Sequence, residues 1–448
     1  MEGALASPVA QKEDNVRPVE LPWGASHSKR FESLRAGDRP DPGALLLGNQ
    51  RLRSLSVGLL SSLLGFQNGQ KIGIYLSDIS GAFDKVDTNM LIQKLEAAGV
   101  NDCLLRFFKA YLAPRKGIVL AEGERSDPID LSDMVFQGTV LGPKLWNIYF
   151  KDVDKTNPDG RSRKFADDLT MSESYPKDSP NENIQEDLRV VQTNTHAWGE
   201  RNRVTFDQTR EDFAILHHID GEGDPFRYLG PILDCKLVMK EAVSDIAKRV
   251  RPKLFALLRS RQYYNTAELV LQFKTNILPM IECSTAAVYH ASDTVLKPLD
   301  QIEGHFLRDL GLTVYESFSK YNLAPLCFRR DVAMLGLLHK CTLGTAHENL
   351  RALLPPAPFQ HQSSYRTRLA GRRHNKQLLE RCHGWHLDVV ARSVFGLTRI
   401  YNLLPQFVVN AETVKAFQTR LTKAAHLRSR VDGNWYHMYS QRSPSFTN

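Results

Sequence analysis

The chain has 448 residues, 42% hydrophobic and 24% charged, ordinary globular values that exclude wholesale disorder and leave room for about two to three domains. A net charge of +8 and a pI near 9.1 suit a polyanionic partner, although ribosomal, membrane-surface and merely soluble proteins share that balance. Six cysteines without a Cys-x-x-Cys pair argue against a disulfide framework or a zinc finger, and no secretory leader or membrane-length apolar run is visible, so a soluble protein of a reducing compartment is expected.

Residues 1–43 are rich in Pro, charge and small side chains and read as a disordered or loosely attached arm. Leu52, Leu55, Leu59 and Leu63 then recur at helical spacing within residues 44–66. From Lys71 to Asp87, Ile72, Ile74 and Leu76 alternate and end on Ser77-Asp78, a core strand that delivers one carboxylate at its tip. The chain turns at Gly81, and Asp87 or Thr88 caps a helix from Met90 to Ala98 that Gly99 closes.

Cys103 to Leu112 predicts a helix ending at Pro114, followed by a hairpin from Gly117 to Asp133 on which Arg115, Lys116 and Arg125 read as a solvated face. Gln137-Gly138 opens a turn, and Pro143 begins a helix through Leu145, Trp146, Ile148, Tyr149 and Phe150. A second acidic tip, Asp167-Asp168 within Lys164–Thr170, reads as a hairpin turn, and Met171 to Asn183 as a polar loop.

A helix bearing Ile184, Leu188, Val191 and Trp198 leads to short strands at 204–206 and 214–216, then to an aromatic strand, Phe226 to Gly230, ending in a glycine turn. Residues 236–344 are helical and punctuated by Arg249, Arg251, Lys253, Arg259, Arg261 and Lys274. Beyond a linker at Pro355–Pro358 come a basic run (Arg366, Arg368, Arg372, Arg373, Lys376) and a helix striped by Val414, Phe417, Leu421 and Ala424. Cys382, His383 and His386 lack a fourth ligand and make a weak metal site.

Two aspartates in one tight turn repel each other unless a cation offsets them. If Asp78 meets Asp167 and Asp168, the three carboxylates suit Mg²⁺, and two such ions about 3.5–4 Å apart serve phosphoryl transfer in polymerases and nucleases. The ordered set Asp78…Phe83-Asp84, Phe136-Gln137-Gly138-Thr139-Val140-Leu141-Gly142-Pro143 and Phe165-Ala166-Asp167-Asp168 resembles the palm of reverse transcriptases, in particular those of non-LTR retrotransposons. The resemblance spans roughly Lys71 to Leu312.

That resemblance implies an α+β fold: a right-hand palm, an antiparallel sheet with packed helices, over 71–235, then a helical thumb over 236–345 and a basic, mostly helical region over 346–448, with 44–70 a partial fingers or connecting helix. It implies an RNA-directed DNA polymerase that extends a DNA primer on an RNA template with dNTPs, using two Mg²⁺ or, as an alternative, Mn²⁺. Asp78, Asp167 and Asp168 would be catalytic and hold metal together with the Ile79 carbonyl. Phe83, Gln137, Gly138, Ala166 and Arg210 would contact substrate, and Tyr228, Leu229 and Gly230 the primer end.

Phe83 is expected to exclude a 2′-hydroxyl. As plain structure, Phe83 anchors a turn, Gln137-Gly138 introduces a buried helix and Tyr228-Leu229-Gly230 ends a strand. No membrane role is implied, a nuclear or cytoplasmic setting fits, and oligomeric state is not encoded legibly. The chain departs from the family in Phe136, where proline is usual, and in Asp207 and Arg210, where Asn and Lys are usual; an arginine keeps the charge but is a poor proton donor. Residues 1–70 are too few for complete fingers, no endonuclease or RNase H-like set is present, and a fragment of a larger element is expected. The rival reading is a decayed or co-opted palm–thumb protein that binds RNA without copying it; a two-metal nuclease is disfavoured by the Gln-Gly motif and the helical thumb.

Overall fold

The alternating apolar segment at Lys71 forms strand β1, Gln70–Ser77, and is buried along nearly all its length. The coordinates are a computed structural model that describes residues 50–158, 160–357, 374–382 and 387–440. The N-terminal arm, the basic run at Arg366, Arg368, Arg372 and Arg373, and His383 and His386 lie outside the described residues.

Helix α1, Gln50–Gln67, precedes β1; α2, Thr88–Ala97, and α3, Asp102–Tyr111, follow it. Asp87 caps α2 by accepting the Met90 N–H at 2.8 Å, and Asn101 caps α3, so the boundaries fall at the polar residues that can satisfy a first-turn donor. The expected hairpin pairs β2, Arg115–Gly117, with β5, Ile129–Leu131, around the inner pair β3, Leu120–Ala121, and β4, Glu124–Arg125. Helix α4, Gly142–Tyr149, begins with Pro143 in its first turn.

Strand β6, Arg161–Phe165, turns tightly into β7, Asp168–Pro176; helix α5, Asn181–Arg201, and strand β8, Asp212–Leu216, complete an antiparallel sheet of order β6-β7-β1-β8. Two readings of the sequence change here. Met171 to Pro176 belongs to β7 rather than a polar loop, because its backbone is paired along β1 whatever its side chains carry. Residues 204–206 contribute a single bridge, Ile79 with Phe206, rather than a strand.

The two faces of β1 serve different cores. Ile72, Ile74 and Leu76 join a cluster with α1 and the helical half, whereas Tyr75 joins one built from α2, α4 and α5. A Cβ at Gly73 would stand 2.9 Å from Ile184 and 3.0 Å from Tyr175, so glycine there permits α5 to lie close on the sheet.

After the two-residue strands β9, Phe226–Arg227, and β10, Ile232–Leu233, the chain is helical, with principal helices α6, Lys240–Arg259, α7, Asp293–Asp309, α8, Leu326–Thr342, and α9, Val414–Arg428. Phe417, Leu421 and Ala425 are the buried stripe of α9, one residue beyond the expected Ala424. An antiparallel sheet backed by helices and followed by helices is the α+β class expected. Charge is also buried in the helical half: Arg330 holds Asp300 through two bonds of 2.8 and 3.0 Å, Arg329 pairs with Glu282, and Glu303 accepts the Leu326 N–H at 2.8 Å. Burial pushes the Glu303 carboxyl up to about 8.

Candidate active site

The two acidic tips come from adjacent strands. Ser77 pairs with Leu169 across β1 and β7, so continuing the register by one residue sets Asp78 opposite Asp168. Between β6 and β7 only Ala166 and Asp167 remain, and Ala166 adopts a left-handed φ of 56°, the conformation a two-residue hairpin turn requires.

The backbone just beyond β1 is stitched to 205–207. Ser80 N–H donates to Thr205 and Asp207 N–H to the Asp78 carbonyl, at 3.0 and 2.9 Å, a pair of bonds that does not involve the Ile79 carbonyl. This contact carries Arg210 to the site: its guanidinium donates to the Asp78 carboxylate at 2.6 Å, while the Ile79 N–H donates to the other carboxylate oxygen at 3.0 Å. The Asp78 bond, then the charges of Asp78, Asp207 and Asp167, hold Arg210 above its usual range, which puts Asp167 within electrostatic reach of the same cation.

Asp168 is also within electrostatic reach of Tyr228. Burial raises the Tyr228 hydroxyl and lowers the Arg163 guanidinium; each then feels the other, and Tyr228 feels Asp168 as well. Tyr228 and Leu229 are buried, and the expected aromatic strand is cut short because Leu229 and Gly230 both take positive φ, 48° and 116°. Gly230 accepts from Arg227 at 2.7 Å, closing that turn.

Trp146, which the sequence offered only as one apolar position in α4, links the remaining motifs. Its indole N–H donates to the Ala166 carbonyl at 2.6 Å, and its ring lies 5.7 Å from that of Phe83. Phe83 in turn accepts the Val135 N–H at 2.8 Å through its carbonyl, which sets Phe136 and Gln137 beside the first acidic turn. Gln137 reaches Asp84 only at 3.4 Å, a weak contact, and Gly138, with φ 78°, has nothing within 4 Å of where a Cβ would stand.

A second unforeseen residue is Glu211, whose side chain is 3% exposed. It accepts from Tyr75 at 2.7 Å and Ser77 at 3.0 Å on β1, and from Gln192 and His196 on α5. Burial alone would raise its carboxyl, but the bonds from His196, Tyr75 and Gln192 outweigh it and hold it low. The only local hint was an acid embedded between Arg210 and an alternating strand; its partners are remote in sequence.

As for metal, carboxylates on neighbouring strand tips with a backbone carbonyl beside them are the hard oxygen donors Mg²⁺ takes, and the guanidinium on Asp78 is a cation already standing at one of them. With Asp78 so engaged, no three His, Cys, Asp or Glu side chains among the described residues share one point. The donor chemistry fits; the ligands are neighbours rather than a closed cluster.

Residues 45–232 match the family described as reverse transcriptase (RNA-dependent DNA polymerase). The RNA-directed DNA polymerase from the mobile element jockey of Drosophila funebris is 24% identical over 269 residues, 56% of this chain. The chain spans 29% of that relative's length. Among solved structures, telomerase from Candida albicans in complex with a fragment of telomeric RNA aligns over 63% of this chain and 54% of its own, at 12% identity and a TM-score of 0.29. No helix among the described residues is long and apolar enough to cross a membrane.

Proposed function

We propose that this chain, whose residues 45–232 belong to the reverse transcriptase family, is the palm (71–235) and thumb (236–345), with a basic helical extension (346–448), of an RNA-directed DNA polymerase of a non-LTR retrotransposon. The observation that carries this is the register of β1 and β7, which sets Asp78 beside Asp168, with Asp167 in the turn between β6 and β7.

In the proposed reaction the primer 3′-hydroxyl gives up its proton and attacks the α-phosphate of a dNTP, and pyrophosphate leaves. Asp78, Asp167 and the Ile79 carbonyl, assisted by Asp168, would hold two Mg²⁺, or Mn²⁺ in their place; bound there, the ions acidify the hydroxyl and neutralise the leaving phosphates. Arg210 steadies the triphosphate as a fixed charge, since a guanidinium does not release its proton at neutral pH. Gln137 and Gly138 leave open backbone against which the nucleotide and template base lie, and Ala166 holds the hairpin turn beneath them. Tyr228 and Leu229, both buried, and half-buried Gly230 form a turn that supports the primer end. Phe83, backed by Trp146, blocks a 2′-hydroxyl. An intracellular setting, nuclear or cytoplasmic, suits this role.

Primer extension on an RNA template with Mg²⁺, wild type against Asp167→Ala, tests the proposal. Extension that disappears in the variant supports it; duplex binding without extension by the wild type supports the co-opted RNA binder instead. Phe83→Ala is expected to admit ribonucleotides, and unchanged sugar discrimination refutes that role.

A further inference from the structure

The chain that runs beside β1 changes step just below the first acidic tip. Leu76 pairs with Asp212, but Ile79 bridges Phe206, so Ser77 and Asp78 face the five residues 207–211. The surplus coils into a three-residue turn, Gln208–Arg210, which Asp207 caps by accepting the Thr209 N–H at 3.1 Å. Arg210 stands at the far end of this bulge with its side chain 68% exposed. The regular sheet ladder therefore stops short of it, and a bulge re-aims whatever side chain it carries.

Glu211 supplies what the ladder does not. Its backbone is extended, φ −103° and ψ 129°, so neighbouring side chains leave on opposite sides, Arg210 to Asp78 and Glu211 into the layer between β1 and α5. Its carboxylate meets Tyr75 and Ser77 on β1, the latter immediately before Asp78, and Gln192 and His196 on α5. Two of these partners also grip the ends of the bulge: Tyr75 stacks on Phe213 at 5.4 Å and 26°, and His196 on Phe206 at 5.7 Å and 10°. An apolar side chain at 211 would fill the same space without direction, whereas four directional bonds from two elements oppose both sliding and rotation.

We propose that Glu211 is a positioning residue for the nucleotide site: anchored on β1 and α5, it fixes the end of the bulge so that the Arg210 guanidinium is presented to a triphosphate beside Asp78. The inference rests on the polymerase reading, which makes a dNTP the ligand of Arg210. Glu211 touches no reacting atom and acts only through its neighbour, as a support that holds a contacting group within a fraction of an ångström of its working place. Were Glu211 merely a seal for the sheet edge, its loss would lower stability without singling out dNTP binding.

The test uses the whole chain on an RNA template with a DNA primer. Steady-state extension gives kcat and the KM for dNTP, and a 3′-dideoxy-terminated primer, on which no bond can form, gives the dNTP affinity of the ternary complex. Glu211→Gln keeps the size but sets an amide N–H₂ among the donors. It is expected to raise KM and the ternary Kd about tenfold, the loss of one aligned charge contact, with kcat and primer–template affinity unchanged. Tyr75→Phe removes one bond, keeps the ring on Phe213 and guards against misfolding of the first variant; about threefold is expected. Arg210→Ala is the deciding background, because adding Glu211→Gln to it should change KM by less than about twofold if the two residues act as one. A full further rise in that background, a KM unmoved in both Glu211→Gln and Tyr75→Phe, or a fall in kcat alone overturns the positioning role. Extension by the wild type with KM unmoved in the variants overturns that role alone. A wild type that holds dNTP without extending overturns the polymerase reading, and ternary affinity then decides on Glu211; one that does neither overturns both.

Discussion

Asp78 sits at a strand tip with its carboxylate on an arginine whose side chain is 68% exposed, whereas Glu282 and Glu303 lie in the helical half with side chains out of water, one on Arg329 and one on a backbone N–H. The same functional group is thus used in two ways. At the sheet tip the arginine is exposed and the pairing contributes little to stability, so a ligand can displace it from the carboxylate. In the helical half the charge or its neutralised form is locked by burial, and removing a partner strands the other group. Exposed pairing reports a site; buried pairing reports architecture.

Four measurements would break or sharpen that contrast. Asp78→Asn is expected to cut primer extension by about a hundred- to a thousandfold while leaving the thermal midpoint nearly unchanged; a large fall in melting temperature would mean the tip is structural after all. Arg329→Ala is expected to do the reverse, destabilising the fold by about 3 kcal/mol in urea titration with extension per folded molecule preserved. Because the native Glu303 carboxyl is raised to about 8, its contribution to stability is complete at pH below its ordinary value and is lost as pH rises through about 8. Glu303→Gln should flatten that decline, an effect of about 4 kcal/mol between pH 5 and pH 9 in denaturant midpoints. Smallest, Asp87→Ala removes the α2 cap and is expected to cost about 1 kcal/mol, read by circular dichroism during unfolding.

The same contrast explains what the sequence disclosed. β1 and its carboxylate, the β6–β7 turn, the cap at Asp87 and the proline-led α4 are written in short-range signals: alternation, a polar residue before a periodic run, a ring that fixes φ. Residues 171–176 escaped because their backbone bonds come from β1, joined by β6 only as far as Ser172, so the strand can carry Ser172, Glu173 and Ser174 without showing alternation. Arg210 on Asp78, Trp146 on Ala166 and the donors around Glu211 escaped for another reason: each joins segments with no local periodicity in common, and only the tertiary fold brings them together.

The indole N–H of Trp146 has one further consequence. It ties α4 to the carbonyl of the one left-handed residue in the β6–β7 turn while its ring rests near Phe83, so three separately encoded segments form a single stiff part. Any tilt of α4, from whatever source, must therefore be felt by the acidic turn and by Phe83 together.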